Sequence, residues 1–508
     1  MRGRNNGPGI ESVFDDERGH AGRGEHAEKI RAAARRHDPA HESLFQSRAR
    51  PAGVAPDGND RTTPQRAHQG AAEFFGESGR FGEEPITPAF AEKLGRALVL
   101  TLGGDPVIAI ARDTRGSGPA LEEALVRGIT SAGGSANLLG VLPTPGVAAF
   151  VVEHGLDAGA VISASHNPAE DNGIKFFSGD GFKLPDDKEA QIETVLDSVG
   201  GADKAGATET FSDAVDLYVG HALRSLPRDF HLRGLKIAVD CANGAASEAT
   251  PKALRELGAE VHAFHVSPDG GNINANCGST VAKEISRLTK KTGAQVGLSH
   301  DGDADRLLLC DETGDPLDGD ELLAIAGLDL LKRGELPGNT IVATVMSNLG
   351  LDELFESHGG KVVRTAVGDR YVLEAMRAGG FVLGGEQSGH MIFLRHGATG
   401  DGLVSALQIL RVMKESGRPL SDLRRVLHKY PQAQRAVKVK SKPPLDQLPA
   451  VQAAIESAER ALAPRGRVLV RYSGTEPKVR ILMEGRDADL LEKHADAVAA
   501  ALAAAIGA

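Results

Sequence analysis

The chain has 508 residues, 41% of them hydrophobic and 25% charged, so it is too long for one hydrophobic core and implies three or four domains. Its net charge of −11 excludes a general nucleic-acid binder, which needs a basic surface against the phosphate backbone. Three scattered cysteines without CxxC spacing exclude a disulfide framework or zinc site, and no apolar run reaches the roughly 18–20 residues of a membrane span.

Residues 1–72 are rich in Arg, His, Gly, Pro and Ala and show little periodicity, so they are expected to be a disordered or non-native N-terminal extension. HAEKIRAAARRH could form a short helix within it, and the N-terminus lacks the apolar stretch of a signal peptide. A cytoplasmic location is expected. From Ile86 the texture alternates: helix over ITPAFAEKLGRALVL, strand over PVIAIARD, helix over PALEEALVRGITSAG, strands over ANLLGV and AGAVISAS. A second round opens with the strand LKIAVD, the turn CANGAA, the helix SEATPKALRELG and the strand EVHAFHV. A third runs from AQVGLSHDGDADRLLLCD through TIVATV, KVVRTAV and FVLGGE. Such alternation suits largely parallel sheets with crossover helices. PPLDQLP (443–449) marks a linker before a smaller tail of helix, two strands and a long alanine-rich helix.

Four polar stretches follow strands, where open α/β sheets place their sites. In VISASHNPAEDNGIKFF the Asn167-Pro168 turn ends a buried run and leaves Ser165 and His166 accessible, as suits a nucleophile. HDGDADRLLLCD sets Asp301, Asp303 and Asp305 within five residues, pointing one way if the backbone is extended. Three hard oxygen ligands with open positions suit Mg²⁺. An EF-hand fails because Arg306 stands where the loop needs glycine; a solvated acidic turn is the plain alternative. GGEQSGH offers a carboxylate, an amide, a hydroxyl and an imidazole, the donor and acceptor mix a sugar requires. RYSGTEPKVR offers hydroxyls, an open backbone and the planar fork of Arg471 to an anion. The serine stretch could alone be an ordinary strand-to-helix connection, and each of the last two an ordinary turn.

These stretches, with ARDTRGSG (111–118), VDCANGA (239–245), VGDRYV (367–372) and TGDG (399–402), resemble the α-D-phosphohexomutase family over residues 79–508, and within it the bacterial phosphoglucosamine mutases. The resemblance implies an α/β fold of four domains around a central cleft, three related mixed α/β domains and a smaller α+β C-terminal one. The expected divisions are 73–212 with the phosphoserine loop, 213–298 with the metal loop at its end, 299–430 with the sugar-binding loop, and 431–508 with the phosphate-binding loop. It implies catalytic roles for Ser165 as the phosphoserine and for Lys175 and His390 in proton transfer. Asp301, Asp303 and Asp305 would bind Mg²⁺ together with the phosphate of Ser165, and Arg306 would neutralise charge. His166 would shape the serine loop beside the substrate. Glu386 and Ser388 would read sugar hydroxyls, and Arg471, Ser473, Gly474 and Thr475 would hold the distal phosphate.

The implied reaction interconverts glucosamine 6-phosphate and glucosamine 1-phosphate through a 1,6-bisphosphate, feeding UDP-N-acetylglucosamine and cell-wall precursor synthesis. Glucosamine or glucose 1,6-bisphosphate would be the activator. The expected partners are a small hexosamine phosphate, with no nucleic acid and no membrane, acting on a monomer or homodimer. The alternatives are phosphomannomutase/phosphoglucomutase activity or a catalytically impaired sugar-phosphate binder. The last arises because the family's FGTDGIRG-type motif is altered: in EFFGESGRFGEEPITP (73–88), Ser78 occupies the arginine position and Arg80 lies two residues on.

Overall fold

The computed structural model describes residues 78–198, 205–473 and 477–508. The extension expected over 1–72, its short helix, and Gly474 and Thr475 lie outside the described residues.

Three mixed sheets and one antiparallel sheet carry the fold. In the first, the order is Ile174–Ser178, Ala158–Ile162, Val107–Arg112, Ser135–Val141, Thr208–Thr210; only the Ile174–Ser178 edge is antiparallel to its neighbour. Ala158–Ile162 is buried throughout, as a continuous apolar run must be when helices cover both faces. In the second sheet Glu260–Phe264, Lys236–Asp240 and Val296–Ser299 run parallel, and Leu308–Cys310 and Pro316–Leu317 return antiparallel. The third places Lys361–Thr365, Thr340–Thr344 and Leu383–Gly385 parallel, with Met391–Phe393 antiparallel at the edge. The division expected at 298/299 therefore falls inside a strand. The second sheet continues to Leu317 because the chain turns back on itself after the aspartates instead of crossing over.

The fourth sheet orders Gln432–Lys438, Lys478–Glu484 and Arg467–Tyr472, all antiparallel. Since Gln432–Lys438 precedes PPLDQLP and pairs within this sheet, that proline-rich stretch lies inside the tail unit and not ahead of it.

Local chemistry sets the helix ends. Thr87 accepts from the Phe90 N–H and Pro88 opens Pro88–Leu102, which closes on Gly103 at φ 71°. Asp318 and Glu321 form a reciprocal capping box on Gly319–Lys332. One apolar cluster, from Ala109 to Leu427, runs through the first three sheets, so these units share a core. The fourth has its own, from Ala433 to Ile506. The three cysteines are buried free thiols, as expected.

Candidate functional site

Each of the four polar stretches joins two antiparallel neighbours. Residues 163–173 link Ala158–Ile162 to Ile174–Ser178, and 300–307 link Val296–Ser299 to Leu308–Cys310. Residues 386–390 link Leu383–Gly385 to Met391–Phe393, and the fourth stretch turns between Arg467–Tyr472 and Lys478–Glu484. In the first three an interior strand delivers the loop to the sheet end and the antiparallel return strand pins it there, whereas the fourth stretch leaves the edge strand Arg467–Tyr472 for the central Lys478–Glu484.

Ser165 adopts φ 48°, a left-handed conformation costly for a residue with a Cβ. Its N–H donates to Ser163 Oγ at 2.9 Å, and Ser163 Oγ donates to Asp113 Oδ2 at 2.6 Å. Ser165 Oγ donates to Asp301 Oδ2 at 2.5 Å and lies 3.3 Å from His166 Nδ1. His166 itself is exposed. Although part of its surface is exposed, desolvation of the ring, with the Arg306 charge second, lowers the His166 imidazole below its ordinary value.

The three aspartates meet, but not by strand alternation. The chain turns at Gly302–Ala304, with Ala304 at φ 59°, and this turn brings the carboxylates to one point. All three are buried, with ligand atoms within 4.8 Å of one another. Asp303 Oδ2 accepts from Lys175 Nζ at 3.0 Å and Thr144 Oγ1 at 2.8 Å. Oδ1 of Asp303 and Oδ1 of Asp305 are buried without a hydrogen-bond partner, Arg306 Nε lying 3.9 Å from the latter, and buried polar atoms left so call for a further ligand. Unpartnered, exclusively oxygen donors fit Mg²⁺. Burial, then the charges of Asp305 and Asp303, push the Asp301 carboxyl well above its usual range. Burial opposes ionisation of Asp305 too, yet His390, Lys175 and Arg306 hold it well below that range.

The sugar-type loop packs directly on this turn. Leu307 N–H donates to Gly389 C=O at 3.0 Å, and Arg306 and His390 form an antiparallel bridge. Gly389, at φ 90°, has no room for a Cβ against the Leu307 carbonyl. His390 Nδ1 lies 3.6 Å from Asp305 Oδ2. Burial disfavours its charged form, but Asp305, Asp369 and Glu386 raise it to about 9. Glu386 is half-buried and accepts from the Gly368 N–H at 3.1 Å, and Ser388 is exposed.

Arg471 and Ser473 belong to the fourth sheet. Arg471 pairs across the ladder with Arg480, and its Nε is buried without a partner. Like charges set directly opposite are destabilising, an arrangement that an anion relieves. Ser473 is buried and its C=O accepts from Lys442 Nζ at 2.8 Å. In the altered N-terminal segment, Ser78 Oγ accepts from Asn167 Nδ2 at 2.8 Å, so it touches the serine loop. Arg80 is exposed and pairs with Asp171 in a two-residue ladder.

Sequence reasoning missed Thr144, Arg115 and Asn274. Arg115 stands in ARDTRGSG, where an arginine in the turn between a buried strand and a helix was a usable signal; Thr144 and Asn274 gave none.

Comparison with known proteins accords with this geometry. Residues 73–200, 216–314 and 318–430 match the phosphoglucomutase/phosphomannomutase α/β/α domains I, II and III, and 435–501 match the C-terminal domain. The chain is 49% identical over 431 residues to a phosphoglucosamine mutase of Syntrophotalea carbinolica, covering 81% of this chain and 94% of the relative. It is 49% identical over 459 residues to one of Anaeromyxobacter dehalogenans, covering 86% and 100%. A crystal structure of a phosphoglucomutase/phosphomannomutase family protein from Burkholderia thailandensis superposes with a TM-score of 0.71 at 25% identity, covering 84% of this chain and 95% of that one. With all four domains matched in order and relatives nearly half identical along most of its length, the chain belongs to the α-D-phosphohexomutase family.

Proposed function

We propose that the protein interconverts glucosamine 6-phosphate and glucosamine 1-phosphate through a phosphoserine at Ser165 and a 1,6-bisphosphate. The observation that carries this reading is the 2.5 Å contact of Ser165 Oγ with Asp301 in a buried cluster of partly unpartnered carboxylates. A protein that only bound sugar phosphates would have no need to hold a hydroxyl there. The glucosamine substrate rests on the relatives, which carry the name phosphoglucosamine mutase at 46–49% identity.

In the forward half-reaction the sugar hydroxyl attacks phosphorus, the bond from phosphorus to the serine oxygen breaks, and that oxygen takes a proton. His390 and Lys175, both held protonated by carboxylate neighbours, are the groups able to give it. The proton of the attacking hydroxyl replaces the one given, so the step is neutral overall. The bisphosphate then returns its other phosphoryl group to Ser165 by the reverse path. Asp301, Asp303 and Asp305 would hold Mg²⁺, which supplies charge neutralisation to the transferring phosphoryl group. Arg306 adds a second cation. Glu386 and Ser388 would read the sugar, while Arg471, Ser473, Gly474 and Thr475 would hold its distal phosphate.

The test is phosphorus NMR of purified protein with glucosamine 6-phosphate, Mg²⁺ and a trace of glucose 1,6-bisphosphate. Appearance of the 1-phosphate supports the mutase. Release of inorganic phosphate alone would mark a phosphatase, and stronger turnover of mannose or glucose phosphates would reassign the substrate. No turnover by folded, metal-bound protein would point to the altered segment around Ser78.

A further inference from the structure

Arg115 lies beneath the serine loop with no exposed side-chain surface, ion-paired to an equally buried Asp113 at 2.9 Å. Its five N–H donors are all spent: Nε on Asp113, Nη1 on the carbonyls of Pro168 and Asp171, and Nη2 on those of Ser165 and Asn167. A second donor comes from the second sheet's unit. Asn274 Nδ2 donates to the same two carbonyls, Ser165 at 2.8 Å and Asn167 at 3.0 Å, opposite Arg115 Nη2 at 3.0 and 2.9 Å. Gly302 of the metal turn closes over this point: a Cβ there would lie 2.5 Å from the Ser165 carbonyl and 2.9 Å from Asn274 Nδ2.

We infer that Arg115 and Asn274 are positioning residues for phosphoryl transfer. They saturate the Ser165 and Asn167 carbonyls from two units, hold Ser165 at its left-handed φ, and so aim Oγ at Asp301. Strained conformations persist only when the surroundings over-determine them, and two donors on each carbonyl do so. Neither residue touches a reacting atom, and the inference rests on the mutase reading above. Flanking bonds tie the same two units, Thr114 Oγ1 to the Asn243 carbonyl at 2.5 Å and Gly116 N–H to the Gly270 carbonyl at 2.8 Å, so the clamp also fixes their register.

The test uses Asn274, because Arg115 variants risk unfolding a buried ion pair. Asn274 has φ 59°, which Asp tolerates and Gly accepts freely, so Asn274→Asp and Asn274→Gly remove the donor while keeping the backbone. Both are expected to lower kcat about a hundredfold, the scale of a misplacement near 1 Å, with KM for the sugar phosphate within about twofold. Amide exchange of residues 163–171 should accelerate in both. Asn274→Gln would restore neither rate, since its longer amide misses the carbonyls. Unchanged kcat in a folded Asn274→Asp protein overturns the inference, as does a fall in kcat that merely follows loss of thermal stability. If the wild-type protein proves inert, the mutase reading fails by itself. Amide exchange then still decides the clamp: unaltered protection of residues 163–171 in both variants overturns it.

Discussion

Asp303→Asn separates the metal reading from a purely structural cluster. The side chain is buried, and its Oδ2 already serves Lys175 and Thr144, which leaves Oδ1 as the oxygen free for an ion. Asparagine keeps the shape and the Thr144 contact, but it removes a charge and turns an amide toward that position. Removing outer partners of metal ligands typically costs 10–100-fold in affinity, so loss of a ligand charge should cost at least about 100-fold. With Mg²⁺ at about 100 times the wild-type Kd, binding stabilises the native state by about 2.7 kcal/mol, and a 100-fold weaker site leaves about 0.4 kcal/mol. The first three units share a core and should melt together, about 340 residues with an unfolding entropy near 0.7 kcal/mol/K. Mg²⁺ should therefore raise the wild-type Tm by about 4 °C and that of Asp303→Asn by less than about 1 °C. Calorimetric scans with Mg²⁺ and with excess chelator measure both. An equal Mg²⁺-dependent shift in the two proteins, or none in the wild type, refutes the argument that these carboxylates form a metal site.

Ser165→Ala should abolish turnover and label uptake from a 1,6-bisphosphate while leaving the melting curve nearly unchanged; full retained activity would remove the phosphoserine from the mechanism. Ser78→Arg returns a cation beside Asn167 and should raise kcat by about 10²-fold, the usual worth of one preorganised donor. An unchanged kcat would mean that Lys175 and Arg306 already supply that charge. Although burial opposes it, His221 and then Arg224 hold the Glu153 carboxyl at about 2 against an ordinary 4.5. A depressed carboxylate stabilises the fold above its unfolded value and loses that effect as pH falls through its folded one, here between 4.5 and about 2. Glu153→Gln should thus cost up to about 3 kcal/mol at pH 7, and its Tm deficit should narrow as pH falls toward 2; a pH-independent deficit would refute it.

Much of this was legible in the sequence. The alternating strand and helix texture from Ile86 onward, and the placing of the serine, the aspartate triplet and GGEQSGH just beyond strands, were readable there, but Ser165 is buried rather than accessible, because the aspartate turn closes over it. What escaped depends on tertiary geometry. The return strands Leu308–Cys310 and Met391–Phe393 have three residues each, too short for a period of two to register. Helix Thr144–His154 is buried along its first eight residues, so it shows no amphipathic face although it delivers Thr144 to Asp303. The aspartates converge through a left-handed Ala304, a conformation that no residue preference announces. Arg115 and Asn274 act on main-chain carbonyls 50 and 109 residues away along the chain, and a carbonyl leaves no mark in a sequence.

The distribution of cores bears on how one site can serve two ends of a sugar. Ser165, the aspartate turn and the His390 loop stand on units that share a single apolar cluster, and they bond to one another directly. Displacing any one of them would break buried hydrogen bonds and open packed interior. Arg471 and Ser473 stand instead on a sheet with its own core. That unit makes polar contacts with the rest: Arg467 Nη2 on the Ser347 carbonyl at 2.9 Å, and Arg465 Nη1 on Glu353 Oε1 at 3.4 Å. Polar interfaces between domains yield at lower cost than shared apolar ones. Phosphoryl transfer needs its reacting groups fixed to within a fraction of an ångström, whereas a bisphosphate that must present first one end and then the other needs its far end gripped and released. Fixing the chemistry in the shared core, and putting the candidate phosphate clamp on the unit outside it, meets both demands with one set of catalytic groups.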